Sequence, residues 1–220
     1  MSATEPGRPE RGVWLRDDSS RNDLAVFAER ARALDETAVV RLRNRADGLL
    51  GVWAQTGFDV LAGRAVAGEA RPADISCAAD QLVSALRTPH DSGFVDPGYP
   101  MDSAWRGALP SESGFVHLDD VPAAVVQDLA RQGADVSREA GGHGPPAALL
   151  DQFVLQVSSD TGAVGVPLRC ALALAAMRFI PQDCPAAEVV RVRVSPAWLR
   201  VDARYGSIFR RLGPAPLVLV

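Results

Sequence analysis

His117 and Asp119 stand in an H-x-D pair, with Asp120 next to them and Asp102 and the His90-Asp91 dipeptide upstream. An imidazole beside carboxylates can shuttle a proton or ligate a divalent metal. H-x-D alone fixes no metal geometry, and Asp119 or Asp120 could instead cap a following helix. Trp105-Arg106 lies a few residues earlier and could form a stacking or anion-binding corner. All four residues, Trp105, Arg106, His117 and Asp119, fall in one stretch, DPGYPMDSAWRGALPSESGFVHLDD, at residues 96–120.

A second group of candidates is cationic. Arg41, Arg43 and Arg45 alternate with apolar residues, as do Arg191 and Arg193, and Arg200 and Arg204 follow on a partner segment. If these segments are strands of one sheet, they form a basic plate able to contact phosphates. Asp202 and other acids interleave with them, which gives an ordinary solvated face as the alternative.

Other reactive side chains lack context. Cys77 and Cys170 sit in apolar runs and read as small core residues. Cys184, in PQDCPA, has no base nearby in the sequence. His143 lies in AGGHGPP, where glycines terminate a helix rather than cradle a phosphate. Ser113 and the Ser158-Ser159 pair stand outside any G-x-S-x-G context. No catalytic residue, metal-ligand set or cofactor motif is assigned.

The elements that position these residues are legible in outline. Residues 1–21 are polar and read as a mobile N-terminal tail. An N-terminal β-rich half, 22–88, opens with a helix at 22–34, its inner face carrying Leu24, Phe27, Ala31 and Leu34. A hairpin turns at Asp47-Gly48, with Val40 and Leu42 on one face and Arg41 and Arg43 on the other. FDVLAGRAVAG fits either a third strand or a helix. DISCA is a strand and ADQLVSALR a helix with Leu82, Val83 and Leu86 inward.

Residues 89–118 form an ordered connector, since unstructured loops beyond about 12–15 residues are uncommon in compact domains and its aromatics can pin it to a core. The C-terminal half, 119–220, starts with a helix at about 121–139, its stripe Val121, Val125, Leu129, Val136 and Ala140. Then come hairpin QFVLQVS/AVGVP, buried helix LRCALALAAMRF, and hairpin VVRVRV/WLRVDAR. Val190, Val192 and Val194 face inward there, and Arg191 and Arg193 outward. The tail PAPLVLV is either a final strand or a self-association edge. The fold class is α+β: mainly antiparallel sheet with helices on one face, in two similar β-hairpin/helix halves.

Bulk properties narrow the classes. The chain has 220 residues, 47% hydrophobic and 23% charged, enough to bury a core. Every one of its 23 basic side chains is Arg, which fits the codon bias of a GC-rich genome or, given local evidence, selection for anion-binding forks. A net charge of −4 argues against a generally basic nucleic-acid binder but leaves a local basic face open. No stretch approaches the about 20 apolar residues of a membrane helix. Three cysteines and no apolar leader fit a reducing cytoplasm.

From GALPSESGFVHLDDVP through LLDQFVLQV and GVPLRCALALAAM to VRVSPAWLRVDARYGSIFRR, the chain resembles actinobacterial proteins of unknown function, over roughly residues 100–211. That resemblance implies an actinobacterial cytoplasmic protein and no mechanism. The order of a strand such as VGVP, a helix and two long antiparallel strands is similar to the repeat unit of sliding DNA clamps, although a clamp ring needs more repeats than this chain holds. The expected function is a non-enzymatic binding or interaction module, with a protein, a second copy or nucleic acid as partner. The alternatives are a clamp-like nucleic-acid module using the Arg faces, and a small-molecule enzyme with a site in 96–120.

Overall fold

The computed structural model describes residues 9–88, 93–139 and 146–213. The chain divides into two compact units, residues 1–54 with 64–107, and residues 55–63 with 108–220. The class is α+β with mainly antiparallel sheet.

In the first unit, β1 (Gly12–Leu15) leads into α1 (Asp18–Leu34). Asp17 caps this helix, its carboxylate accepting from the Ser20 amide at 2.7 Å. That hydrogen bond holds the Asp17 carboxyl below its ordinary range. Residues 12–21 therefore belong to the folded body and not to a tail, because Val13 and Leu15 are buried. Leu24, Phe27, Ala28 and Ala31 form the buried stripe of α1, at the i, i+3, i+4, i+7 spacing of one helical face.

Strands β2 (Val39–Asn44) and β3 (Leu50–Gln55) form the hairpin, and Gly48 takes the positive φ of +78° that its turn requires. FDVLAGRAVAG resolves as a strand, β4 (Leu61–Val66), followed by β5 (Gly68–Arg71). β6 (Asp74–Ala78) pairs with β2 and runs straight into α2 (Ala79–Arg87), which packs on α1. A second small sheet has the order β5-β1-β7, where β7 is Phe94–Val95.

In the second unit, β8 (Val116–Pro122) precedes α3 (Ala123–Glu139) and a short turn of helix, α4 (Ala147–Leu150). The hairpin β9 (Phe153–Ser159) and β10 (Gly162–Pro167) runs into α5 (Leu168–Ala176). β11 (Val189–Ser195), β12 (Trp198–Ala203) and β13 (Gly206–Arg211) complete the chain as described. Within this unit the strands run in the order β13-β12-β11-β8, with residues 61–63 of β4 paired to β13.

The two halves are similar. Each runs strand, 17-residue helix, strands, 9-residue helix, and in each the short helix packs on the long one. Neither short helix has a side-chain cap. Instead the first amide of each is satisfied by the carbonyl just before a strand: Ala79 N–H donates to Ala38, and Leu168 N–H to Gln152, both at 2.9 Å.

Two expectations for α3 are corrected. Asp119 and Asp120 do not cap α3. They lie in β8, paired to β11, and the Ala123 amide that opens the helix donates to the Glu188 carbonyl at 2.9 Å. The inner face of α3 is Ala123, Val126, Ala130, Gly133 and Ser137, whereas Val125 and Val136 are exposed. Among the described residues the last strand is GSIFRR, β13, for which the sequence analysis assigns no element. His90-Asp91, Ala140, His143 and the PAPLVLV tail lie outside the described residues.

Candidate functional site

The 96–120 segment does two different jobs. Its first part closes an edge. The Ser76 amide on β6 donates to the Asp102 carboxylate at 2.6 Å, and the Met101 amide donates to the Ser76 carbonyl at 2.9 Å. Arg11 donates to the carbonyls of Gly98 and Ser76 at 2.6 and 3.0 Å, and Gln81 accepts from the Tyr99 amide at 3.0 Å. An open sheet edge invites pairing with another strand, and this one is covered.

Trp105 follows. Its indole donates to the Gly107 carbonyl, and its ring lies 5.7 Å from the Arg41 guanidinium. Arg41 also makes a bidentate pair with Asp74, both bonds at 2.7 Å, which raises its already high pKa further. Arg43 reaches the same carboxylate at 3.9 Å. Arg45 has left the strand and pairs with Asp47 at 2.6 Å. Arg106 is exposed.

The last part of the segment becomes strand β8 of the second unit. Its register with β11 shifts between Val192 and Arg193, so that Leu118 has no partner of its own and forms a bulge. The bulge moves Asp120 onto the face that carries His117. The imidazole therefore meets Asp120, at 2.8 Å, and not Asp119. Asp119 points elsewhere and accepts from the Asp120 amide at 2.8 Å. A sequence reading of H-x-D could not anticipate this, since a bulge converts it to H-x-x-D.

The same pairing brings together two groups that the sequence left separate. His117 lies opposite Arg193, and Asp120 opposite Arg191, whose Nε is 3.8 Å from the carboxylate. Across the next ladder, Arg193 lies opposite Arg200, and Arg191 opposite Asp202. Asp202 is only 12% exposed. It accepts from Arg193 Nη1, from Arg200 Nε at 2.6 Å, and from the Ser207 hydroxyl. The Arg200 guanidinium lies 5.5 Å from the Phe115 ring and 5.4 Å from Phe209. Asp202 and Phe115 organise this face. Period-two spacing from Arg200 could have found the first; the second comes from the connector and is legible only in three dimensions.

Each unit thus has its own Arg cluster, with carboxylates of that unit and an aromatic from the 96–120 segment. Arg204, which the sequence placed on β12, sits past its end and pairs with the buried Glu188. Cys77 and Cys170 are buried, which pushes each thiol up to about 12, so neither is a nucleophile at neutral pH. Among the described residues, no group of three or more His, Cys, Asp or Glu stands close enough to hold a metal ion. Among the same residues, no helix is long and apolar enough to cross a membrane.

Comparison with known proteins follows this division. Residues 8–107 match the model of a domain of unknown function (DUF8010), and residues 110–215 match that of a second (DUF8185). Among curated proteins, none matches the chain. Solved structures are similar at low identity. The DNA polymerase sliding clamp of Bacillus subtilis superposes with a TM-score of 0.56 at 12% identity, over 94% of this chain and 66% of that one. That of Caulobacter crescentus gives 0.54 at 13%, over 94% and 67%. The DNA polymerase III subunit beta of Pseudomonas aeruginosa gives 0.53 at 12%, over 89% and 64%. The chain therefore spans about two thirds of the length of these structures. What it shares with the sliding clamps is the fold of two similar halves.

Proposed function

We propose that this chain is a non-enzymatic interaction module that uses a sliding-clamp-like scaffold to hold a protein partner, in the cytoplasm of an actinobacterium. The observation that carries the reading is the interleaving of carboxylates in its Arg rows. Asp74 takes both Arg41 and Arg43, and Asp202 takes both Arg193 and Arg200. A surface built for a phosphate backbone would leave its guanidiniums to release counterions from the polyanion. Carboxylates in the row oppose that and favour discrete polar contacts with a folded or extended partner. The His117–Asp120 pair stands exposed on a strand, which supports a surface role over a proton-transfer site.

A nucleic-acid role is the second reading. It is favoured by the sliding clamps among the similar structures and by Arg191, which is 53% exposed and, among the described residues, has a long ion pair as its sole side-chain contact of that kind. Fluorescence anisotropy with labelled duplex DNA separates the two. The interaction reading predicts, at about 150 mM salt, binding no tighter than the non-specific range of about 10⁻⁴–10⁻⁶ M. Tighter binding, with a steep salt slope that Arg191→Ala reduces, would promote the second reading over the first.

A further inference from the structure

The outer face of the second unit's sheet holds an unusual charge arrangement. Arg193 and Arg200 are direct cross-strand neighbours. Like charges so placed repel, and here one carboxylate, Asp202, holds both. With Arg191 and Asp120 included, three guanidiniums share two carboxylates on this face. The face is therefore left with positive charge and with unused donors. Among the described residues, Arg200 hydrogen-bonds only through Nε and Arg193 only through Nη1, so both Nη atoms of Arg200, which lie by the Phe115 and Phe209 rings, and the remaining nitrogens of Arg193 have no hydrogen-bond partner.

These side chains are also held in place. Asp202 is fixed by three donors, one of them Ser207, and Phe115 and Phe209 flank Arg200. Arg193 and Arg200 are 30% and 26% exposed, so their heads reach solvent while their stems are covered. A fork held in advance loses less entropy when it binds, and guanidiniums match carboxylates bidentately.

We infer that Arg193 and Arg200, with Arg191 at the rim, form a carboxylate-recognition site for an acidic peptide segment of a partner protein. Charge complementarity selects the occupant. One carboxylate can bridge two guanidiniums that are about 5 Å apart at Cβ across a ladder. A flexible peptide can set one carboxylate over the two guanidiniums and turn its others away from Asp202 and Asp120, which a stiff phosphate track cannot do. Phe115 beside Arg200 offers an apolar shelf for the peptide's methylenes. The site rests on the interaction-module reading and names the chemistry of its partner.

The test titrates fluorescein-labelled octaglutamate with the full chain at about 50 mM salt, followed by anisotropy. Saturable binding is expected. Arg200→Lys keeps the charge but loses the fork, and should weaken binding by about fivefold or more. Arg191→Ala cannot disturb folding through its one long contact, and should weaken it by about threefold. Arg43→Ala, in the first unit, should leave it unchanged. A thermal melt of each variant by circular dichroism confirms that it is folded. No saturable binding, or a loss equal in Arg43→Ala and Arg200→Lys, would overturn the site. Peptide binding untouched by Arg191→Ala and Arg200→Lys would remove this site and leave the interaction reading standing. Duplex DNA that binds more tightly than the peptide would remove both.

Discussion

At the scale of single residues, the recurring device is a carboxylate shared by two arginines. Asp74 and Asp202 each hold a pair, and Asp151 accepts from Arg169 at 2.8 Å and Arg210 at 3.1 Å. With no Lys in the chain, every basic contact has a planar, always-charged fork available to it. Burial acts on the thiols in the opposite sense, by keeping them neutral. Cys77 and Cys170 are raised from 9.0 to about 12 by desolvation, while Cys184 is only half-buried.

Two outcomes follow from this. Iodoacetamide at about pH 8 should label Cys184 in the folded protein and spare the other two, as read by mass spectrometry of intact protein and peptides. The buried thiols also make stability depend on pH. In the unfolded chain they ionise near 9.0, and in the folded one only near 12. Their contribution is thus fully present below pH 9.0 and is lost as pH rises toward 12. The urea midpoint should fall through that window, and fall less in Cys77→Ala than in the parent. An unchanged slope in the variant would show that the thiol stays solvated.

At the scale of elements, two contacts are tight enough to predict. Gly133 lies on the inner face of α3, where a Cβ would come within 2.7 Å of the Leu168 side chain on α5. Gly→Ala in a helix normally stabilises by about 1 kcal/mol. Here overpacking should win, and Gly133→Ala should lose about 1 kcal/mol in urea unfolding. A gain would mean that Leu168 can move aside. The second contact is the cover on β6. Asp102→Ala leaves the buried Ser76 amide without its acceptor, a loss of about 1–3 kcal/mol. Hydrogen exchange at Ser76 should quicken by roughly tenfold or more, whereas exchange at the centre of β12 should not change.

Elements also show what could be read from the chain. The two arginine-bearing hairpins were legible because strict alternation and a turn signal coincide, at Asp47-Gly48 and at Ser195-Pro196-Ala197. The short helices were legible because Leu82, Val83 and Leu86 repeat at helical spacing and are buried. β8 was not. Its Asp119-Asp120-Val121-Pro122 run looks like a helix cap, and only the pairing with β11 makes it a strand. β1 was hidden by the Pro, Gly and Arg residues around it, and its burial comes from β5 and β7, which are distant in sequence. The same holds for the site. Arg191, Arg193 and His117 were named from their types, but their meeting depends on a bulge at Leu118 that no local pattern encodes.

At the scale of the whole molecule, two similar halves each carry an Arg row interleaved with its own acids. The chain has the fold of sliding clamps over about two thirds of their length, and a net charge of −4. That charge repels DNA and an acidic peptide alike at long range, so the choice between them rests on the short-range geometry of the Arg193–Arg200 pair. The measurement that tests this account most directly is a competition. Labelled octaglutamate is bound to the full chain, and unlabelled duplex DNA is added at about 150 mM salt while anisotropy is followed. The account predicts that the peptide stays bound until DNA is in large excess, because one fork recognises a carboxylate better than the interleaved rows recognise a phosphate track. Displacement by stoichiometric DNA would contradict it, and would make the Arg faces a nucleic-acid surface.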